Sequence, residues 1–135
     1  MTHLQNPLAL AARVLLSLLF LPEGIDKVSG FSNTVQFIAA AGLPFPELGA
    51  VFAIVVEVGG SLALLTGFQA RRAALTMAVF TLATGFLFHR FWAVPAAQVS
   101  VQHIMFFKNM AIAGGLLMVA AFGAGAWSMD ARRSA

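Results

Sequence analysis

The stretch from His103 to Gly123 reads HIMFFKNMAIAGGLLMVAAFG, and it is apolar except for His103 and the adjacent Lys108 and Asn109. A bilayer core about 30 Å thick is crossed by about 20 consecutive apolar residues in an α-helix. The length and composition of this stretch therefore predict a membrane-spanning helix. The ammonium group of Lys108 must be neutralised there or have a function, because a charge in hydrocarbon is costly.

Three further segments are also long and apolar enough to cross a membrane, so that the four predicted spans cover residues 7–28, 47–67, 72–92 and 103–123. Their apolar runs are continuous rather than alternating, which favours helices over the strands of a barrel. The first span is predicted to be retained rather than cleaved as a signal peptide, because no Lys or Arg precedes it and Arg13 interrupts it. The sequence predicts an all-α fold, a membrane-spanning four-helix bundle that forms a single domain over residues 1–135.

The composition also indicates that the chain is embedded in a lipid bilayer. Hydrophobic residues make up 60% of the chain and charged residues only 10%, whereas ordinary soluble proteins carry about a quarter charged residues. The alternative is an unusually apolar soluble helical domain. The absence of cysteine excludes disulfides and thiolate metal sites. The net charge of +3 is spread along the chain without a basic run, so nucleic acid is not an expected partner.

Basic residues predict the orientation of the spans. Arg71–Arg72 lies in the short link between the second and third spans, and Arg132–Arg133 lies in the tail. Because cytoplasmic loops are enriched in Lys and Arg, both termini are predicted to face the cytoplasm. The 22–47 link then faces outward. Its segment SNTVQFIAAAG, residues 32–42, predicts a short interfacial helix in this first outward loop.

Charged residues inside the spans are predicted to face one another as a structural charge seam, formed by Arg13, Glu23, Lys27 and Glu57. The favoured pairs are Arg13 with Glu57 and Lys108 with Glu23, and Glu57 with Lys108 is an alternative. An isolated charge at mid-bilayer costs about 2.5–3.5 kcal/mol on insertion scales, so pairing is expected. Such pairs either serve a function or only fix the order and register of the helices.

A second group of polar and aromatic side chains is expected in the outward half of the bundle. The candidate cofactor-binding residues are His89, Phe106, Phe107, Lys108 and Asn109. Aromatic walls beside Lys, His and Asn fit the head of a quinone, which is the cofactor this group suggests. The catalytic candidates are Glu57, Lys108 and His89. The alternative for His89 is an ordinary position at the membrane interface.

Other kinds of chemistry find little support in the sequence. His89 and His103 face the same side of the membrane, but neither lies in a haem motif, so axial ligation of haem is not expected. No metal site is predicted, because clustered metal-ligand spacing is absent. A nucleophile elbow and a phosphate loop are absent as well. Catalysis by this chain alone is therefore not visible in its sequence.

The chain resembles the DoxX family of small four-helix membrane proteins. The matching segments are RVLLSLLFLPEGIDKVSG, AAGLPFPELGAVFAIVVEVGGSLALLTG with ARRAAL, FLFHRFW and FFKNMAIAGGLLMV, in the order of the family. The recurring polar and glycine positions of the family map onto Arg13, Gly24, Lys27, Glu57, Gly60, Gly67, Arg72, His89, Lys108 and Asn109. The sequence departs from the family pattern at Pro22 and Glu23, where uncharged residues are usual.

The resemblance implies an integral protein of the bacterial cytoplasmic (inner) membrane. Family members are linked to quinone-dependent sulfur oxidation, to membrane complexes that handle oxidative stress and to resistance to electrophiles. The first hypothesis is therefore a non-autonomous subunit of a membrane oxidoreductase, with a redox partner protein and a quinone. The second is a non-catalytic scaffold or chaperone whose buried charges are structural. A third is a small carrier that works as a homo-oligomer.

Overall fold

The structure is a computed structural model that describes residues 3–133, and every regular element in this range is helical. The first span is α1 (Gln5–Ser29), the second covers Pro46–Thr66, the third contains α5 (Ala70–Phe88), and the fourth is α6 (Ala96–Phe122). All four are long and apolar enough to cross a membrane. The predicted all-α bundle of four membrane helices is confirmed.

The second span is divided into three parts, because a π-helical turn interrupts it. Helix α3 (Pro46–Ile54) leads into the π-turn (Val55–Gly59), and α4 (Gly60–Thr66) follows. Pro46 at the first helical position suits an N-terminus, where its missing N–H is not needed. Gly67 ends α4 with φ of 67°, a left-handed conformation that favours glycine.

Two short helices lie outside the spans of the described chain. Helix α2 (Phe31–Ala40) occupies the first loop, where the sequence predicts a short helix. Helix α7 (Met129–Arg133) follows the fourth span. A 3₁₀ turn (Phe91–Ala93) links α5 to α6.

The bundle packs mainly between helices that are consecutive in the chain. The contact between α5 and α6 is the most extensive, α1 packs against α4 and the π-turn, and α1 touches α6 less. A shared core joins the four spans, and its buried residues are Phe20, Val56, Leu64, Ala74, Met77, Ala78, Leu116 and Val119.

Two glycines allow the helices to approach closely. A Cβ atom on Gly24 of α1 would lie 2.7 Å from Val58 Cγ2, and one on Gly60 would lie 2.5 Å from Met77 Sδ. Small residues at such contacts are the usual means of helix association in lipid, where burial of apolar surface gives no driving force. The first span therefore lies close to the second, and the second lies close to the third.

Helix boundaries differ from the predicted ones by more than two residues at two places. Helix α6 begins at Ala96, seven residues before the predicted start at His103, because Pro95 provides an extended N-cap and the polar segment after it is helical. Helix α5 ends at Phe88 rather than Trp92, because His89 leaves the helical conformation with φ of −117° and ψ of 46°.

The C-terminal segment packs back onto the bundle at the end where both termini lie, called here the terminal end; the opposite end is the loop end. The Asp130 carboxylate accepts hydrogen bonds from the backbone N–H groups of Gln69 (2.7 Å) and Ala70 (2.9 Å). The Asp130 N–H donates to the Gly67 carbonyl (3.0 Å). A carboxylate at these first N–H groups caps α5 and interacts favourably with its dipole.

Candidate functional site

Arg13 is buried, but it does not pair with Glu57, so this predicted pair is wrong. Its guanidinium donates to the carbonyls of Leu64 (2.7 Å) and Leu65 (3.2 Å) at the end of α4 and to the carbonyl of Trp127 (2.7 Å). Helical side chains tilt toward the N-terminus of their own helix. On the antiparallel first and second spans, Arg13 therefore points to the terminal end and Glu57 to the loop end.

Glu57 is paired instead with Lys27. The Lys27 ammonium lies 2.9 Å from Glu57 Oε2, and the Glu57 side chain is only 8% exposed. The tilt of side chains explains this pair as well. Lys27, near the loop end of α1, points toward the terminal end, whereas Glu57 points toward the loop end, so the two side chains approach each other. The π-turn carries Glu57, and π-turns occur frequently at functional sites.

Glu23 completes a group of three charges. Its carboxylate lies 3.5 Å from the same Lys27 ammonium, and its side chain is 62% exposed. The predicted pair of Glu23 with Lys108 is therefore wrong. Glu23, Lys27 and Glu57, called here the charge cluster, place two carboxylates around one ammonium. They connect a buried carboxylate to an exposed one.

Lys108 is exposed on the outside of α6, and its ammonium lies 3.2 Å from Met105 Sδ. It pairs with neither Glu57 nor Glu23 among the described residues. The helix register nevertheless places it at the same depth as Glu23 of the charge cluster. Gly115 of α6 faces Leu16 of α1, with 3.8 Å from a Cβ on Gly115 to Leu16 Cδ2. The two helices are antiparallel. Two turns, or seven residues, closer to the loop end, Glu23 of α1 and Lys108 of α6 therefore lie at the same level.

The charged candidates thus lie at similar depth on the helices that flank one boundary, and Lys108 forms no ion pair with the others. We call this boundary, between α1 and α6 in the loop-end half, the α1–α6 seam; Glu23 and Lys27 mark its α1 side and Lys108 its α6 side. Glu57 reaches it through Lys27. Because Glu23 and Lys108 are exposed, the seam is open toward the lipid side of the bundle.

His89 and Asn109 have polar partners on the other side of α6. His89 Nδ1 lies 2.9 Å from Gln102 Oε1. The buried Asn109 amide donates to the Thr81 carbonyl (3.3 Å) and to Thr84 Oγ1 (3.4 Å) on α5. The Asn109 amide thus joins α6 to α5.

Aromatic rings pack around the connection between α5 and α6. Phe106 is buried and lies edge-on to Phe91, Trp92 and Phe86. Phe107 is exposed, with its ring centroid 4.8 Å from that of His103. Phe106 and Lys108 are about 160° apart around the helix at 3.6 residues per turn. The five residues expected around one pocket are therefore divided between two sides of α6, and a binding role for each stays a prediction.

Sequence reasoning missed a structural role for the arginines at the terminal end. Arg71 donates to the carbonyls of Ala120 and Ala121, the last turn of α6, much as Arg13 does for α4. Such bonds satisfy carbonyls that have no partner within the helix. A signal was present, because Arg71 lies next to the short link between the second and third spans and the last turn of α6 contains no basic residue.

No group of three His, Asp or Glu side chains that could hold a metal ion occurs within residues 3–133. The polar groups of the site are thus ammonium, carboxylate, amide and imidazole groups that form ion pairs and hydrogen bonds. Such groups can exchange protons and can bind a polar head that arrives from the lipid phase.

Comparison with known proteins gives consistent results. The DoxX family profile matches residues 8–90. The inner membrane protein YqjF of Escherichia coli (strain K12) is 42% identical over 96% of this chain and 95% of its own length. The inner membrane protein YphA of the same organism is 38% identical over 93% of this chain and 89% of its own length. No solved structure matches. With its four apolar helices, the chain belongs to the DoxX family of integral membrane proteins.

Proposed function

We propose that the protein is a quinone-linked subunit of a redox complex in the inner membrane, and that the quinone head binds in the α1–α6 seam. One observation carries this proposal: a carboxylate buried in the second span is ion-paired with a lysine of the first span, and that lysine also contacts the exposed carboxylate of Glu23. The exposed Lys108 lies at the depth of Glu23 on the fourth span by helix register. A ligand for such a place must be soluble in the bilayer and must carry a polar head. A quinone meets both requirements, and the family resemblance points to quinone chemistry.

The residues of the seam divide into two roles. The Lys108 ammonium donates a hydrogen bond to one quinone oxygen. It is available for this bond because, among the described residues, it otherwise contacts only a weak acceptor, Met105 Sδ. Glu57 gives or takes the proton, and Lys27 and the exposed Glu23 connect it with the surface. Asn109 fixes the depth of Lys108 by tying α6 to α5.

In this proposal His89, Phe106 and Phe107 support the site without touching the quinone. The His89–Gln102 contact and the packing of Phe106 hold the loop end of α5 against α6. They keep the α6 side of the seam in place while a ligand enters from the lipid on the α1 side. The redox partner protein supplies or accepts the electrons, because no electron carrier is part of this chain's own chemistry.

The test is a titration of the purified protein in mild detergent with short-chain ubiquinone and menaquinone analogues. We expect saturable binding to the wild-type protein and at least tenfold weaker binding to Lys108→Met and Lys27→Met. Arg90→Met is the matched control, because it removes an exposed positive charge at the loop end but outside the seam. Absence of saturable binding, or equal weakening by the control, would contradict the proposal.

A second candidate function, a non-catalytic scaffold, is favoured by the bonds of Arg13. The guanidinium of this buried cation donates to three backbone carbonyls at helix ends, which is the arrangement expected of a structural charge. If the charge cluster is structural too, the double variant Lys27→Met with Glu57→Leu should fold and retain the cellular function. Loss of that function in a folded double variant would instead favour the quinone-linked role.

A further inference from the structure

An apolar groove runs along the outer face of the second span, away from the α1–α6 seam. It has a volume of ≈ 380 Å³, and its lining residues are Gly59, Leu62, Ala63, Thr66, Phe68 and Met129. The Gly59 end is open, because a Cβ atom placed there would meet nothing within 4 Å. The Thr66 hydroxyl donates to the Leu62 carbonyl at 2.8 Å, so the wall offers no unused donor. The groove is shaped for a hydrocarbon chain.

A positive charge stands where the groove reaches the terminal end, and a second arginine is its neighbour in the chain. The Arg133 guanidinium carbon lies 5.4 Å from the centroid of the Phe68 ring, a cation–π contact with a residue that lines the groove. Arg132, beside it, is exposed. The two arginines in the first turn of α5 have other partners. Arg71 donates to carbonyls of α6, and Arg72 donates to the Gln69 side chain.

We propose that this groove and the two exposed arginines of α7 bind one anionic phospholipid. Its phosphate lies at Arg132 and Arg133, and one acyl chain follows the second span from Thr66 toward Gly59, a rise of about 10 Å. Charge complementarity selects the occupant, because an apolar groove alone would accept any lipid. The Arg133 guanidinium at its mouth and the exposed Arg132 next to it in the chain favour a negative headgroup. The site lies apart from the α1–α6 seam and does not depend on the quinone proposal.

The experiment measures lipid binding to the purified full-length protein by native mass spectrometry. Phosphatidylglycerol and phosphatidylcholine with identical acyl chains are added separately. We expect one phosphatidylglycerol to be retained, with an affinity that falls about fivefold for each arginine removed in Arg132→Gln and Arg133→Gln. Phosphatidylcholine should bind more weakly to the wild-type protein and should be unaffected by these two changes.

The groove is tested separately from the charges. Gly59→Leu fills it and should weaken binding of both lipids, whereas Gly114→Leu, at the other lipid-facing glycine with open space in front of it, should change neither. Equal retention of the two lipids by the wild-type protein overturns the proposal. Unchanged phosphatidylglycerol binding to Gly59→Leu, or equal loss with Gly114→Leu, overturns the assignment to this groove. The melting temperature of each variant in detergent shows that it is folded.

Discussion

At the scale of single residues, the two most buried ionisable side chains are stabilised by different kinds of partner. Arg13 serves carbonyls at the end of α4 and in the C-terminal segment, so it acts as a helix cap placed on a neighbouring helix. Glu57 has an ionic partner, Lys27, which itself is shared with Glu23. The consequence is that removing Lys27 leaves a buried carboxylate without a counter-charge, whereas removing Arg13 leaves uncapped carbonyls.

The Lys27–Glu57 pair can be tested by a double-mutant cycle. We expect Lys27→Met alone to lower the free energy of unfolding by about 3–5 kcal/mol, the usual effect of leaving a buried charge unpaired. Adding Glu57→Leu should recover much of that loss, because the uncompensated carboxylate is then gone. Unfolding by SDS titration in mixed micelles measures the three variants against the wild-type protein.

The matched cycle uses Arg13 in place of Lys27. Since the hydrogen bonds of Arg13 and the ion pair of Glu57 involve different partners, Arg13→Leu and Glu57→Leu should be additive within about 0.5 kcal/mol. A coupling between Arg13 and Glu57 as large as the one with Lys27 would contradict the observed pairing.

The burial of Arg13 and Glu57 could be predicted from the sequence, because the cost of a charge in hydrocarbon forces it inward. Their partners were predicted wrongly, because the predicted pairs did not take the direction of the side chains into account. On antiparallel helices a tilt toward each N-terminus separates Arg13 from Glu57 and brings Lys27 to it. Lys108 could not be placed from depth alone, since its exposure depends on how closely α1 and α6 approach.

At the scale of elements, the contact of α1 with the π-turn determines where the charge cluster can form. The π-turn brings Glu57 to α1, and Gly24 lets the two backbones approach. The sequence indicates glycine at position 24, but neither hydrophobicity nor periodicity indicates a π-turn at Val55–Gly59. The long, continuous apolar run identifies the span correctly while hiding the irregular turn within it.

The closeness of this contact gives a prediction for Gly24→Ala. The added Cβ would lie 2.7 Å from Val58 Cγ2 and 3.1 Å from the Val58 backbone nitrogen, which cannot move aside without shifting the turn. Overpacking of this kind typically costs about 1–3 kcal/mol, and we expect a lower melting temperature in detergent. Gly59→Ala is the control in the same turn, where open space and the better helix propensity of alanine predict equal or higher stability.

The cap on α5 gives a second prediction at this scale. Asp130→Ala removes the acceptor for the N–H groups of Gln69 and Ala70 and should cost about 1 kcal/mol of unfolding free energy. Asp130→Asn keeps one carbonyl acceptor and should have an intermediate effect. If the asparagine variant is as unstable as the alanine variant, then the charge of Asp130 rather than its hydrogen bonds stabilises this end. The same unfolding titration distinguishes the two results.

At the scale of the whole molecule, the fold could be predicted almost completely, whereas the site could not. Four apolar segments, each long enough to span a bilayer, determine an up-and-down helical bundle with few alternatives. The site depends instead on which face of each helix meets which neighbour. The weak contact of α1 with α6 leaves Glu23 and Lys108 apart, and the strong contact of α5 with α6 draws Asn109 away from the seam.

The orientation of the bundle in the membrane is the remaining large-scale prediction. The terminal end carries Arg71–Arg72 and Arg132–Arg133, so it should face the cytoplasm, and the loop end should face outward. The chain contains no cysteine, which makes single cysteines clean reporters. In intact cells a membrane-impermeant maleimide should label Ser32→Cys and Gln98→Cys, both exposed at the loop end, but not Ala126→Cys, exposed at the terminal end. Permeabilising the inner membrane should make Ala126→Cys reactive. The reverse pattern would place the proposed phospholipid at the outer leaflet and the exposed Glu23 on the cytoplasmic side. In the proposed quinone-linked role, protons from Glu57 would then exchange with the cytoplasm.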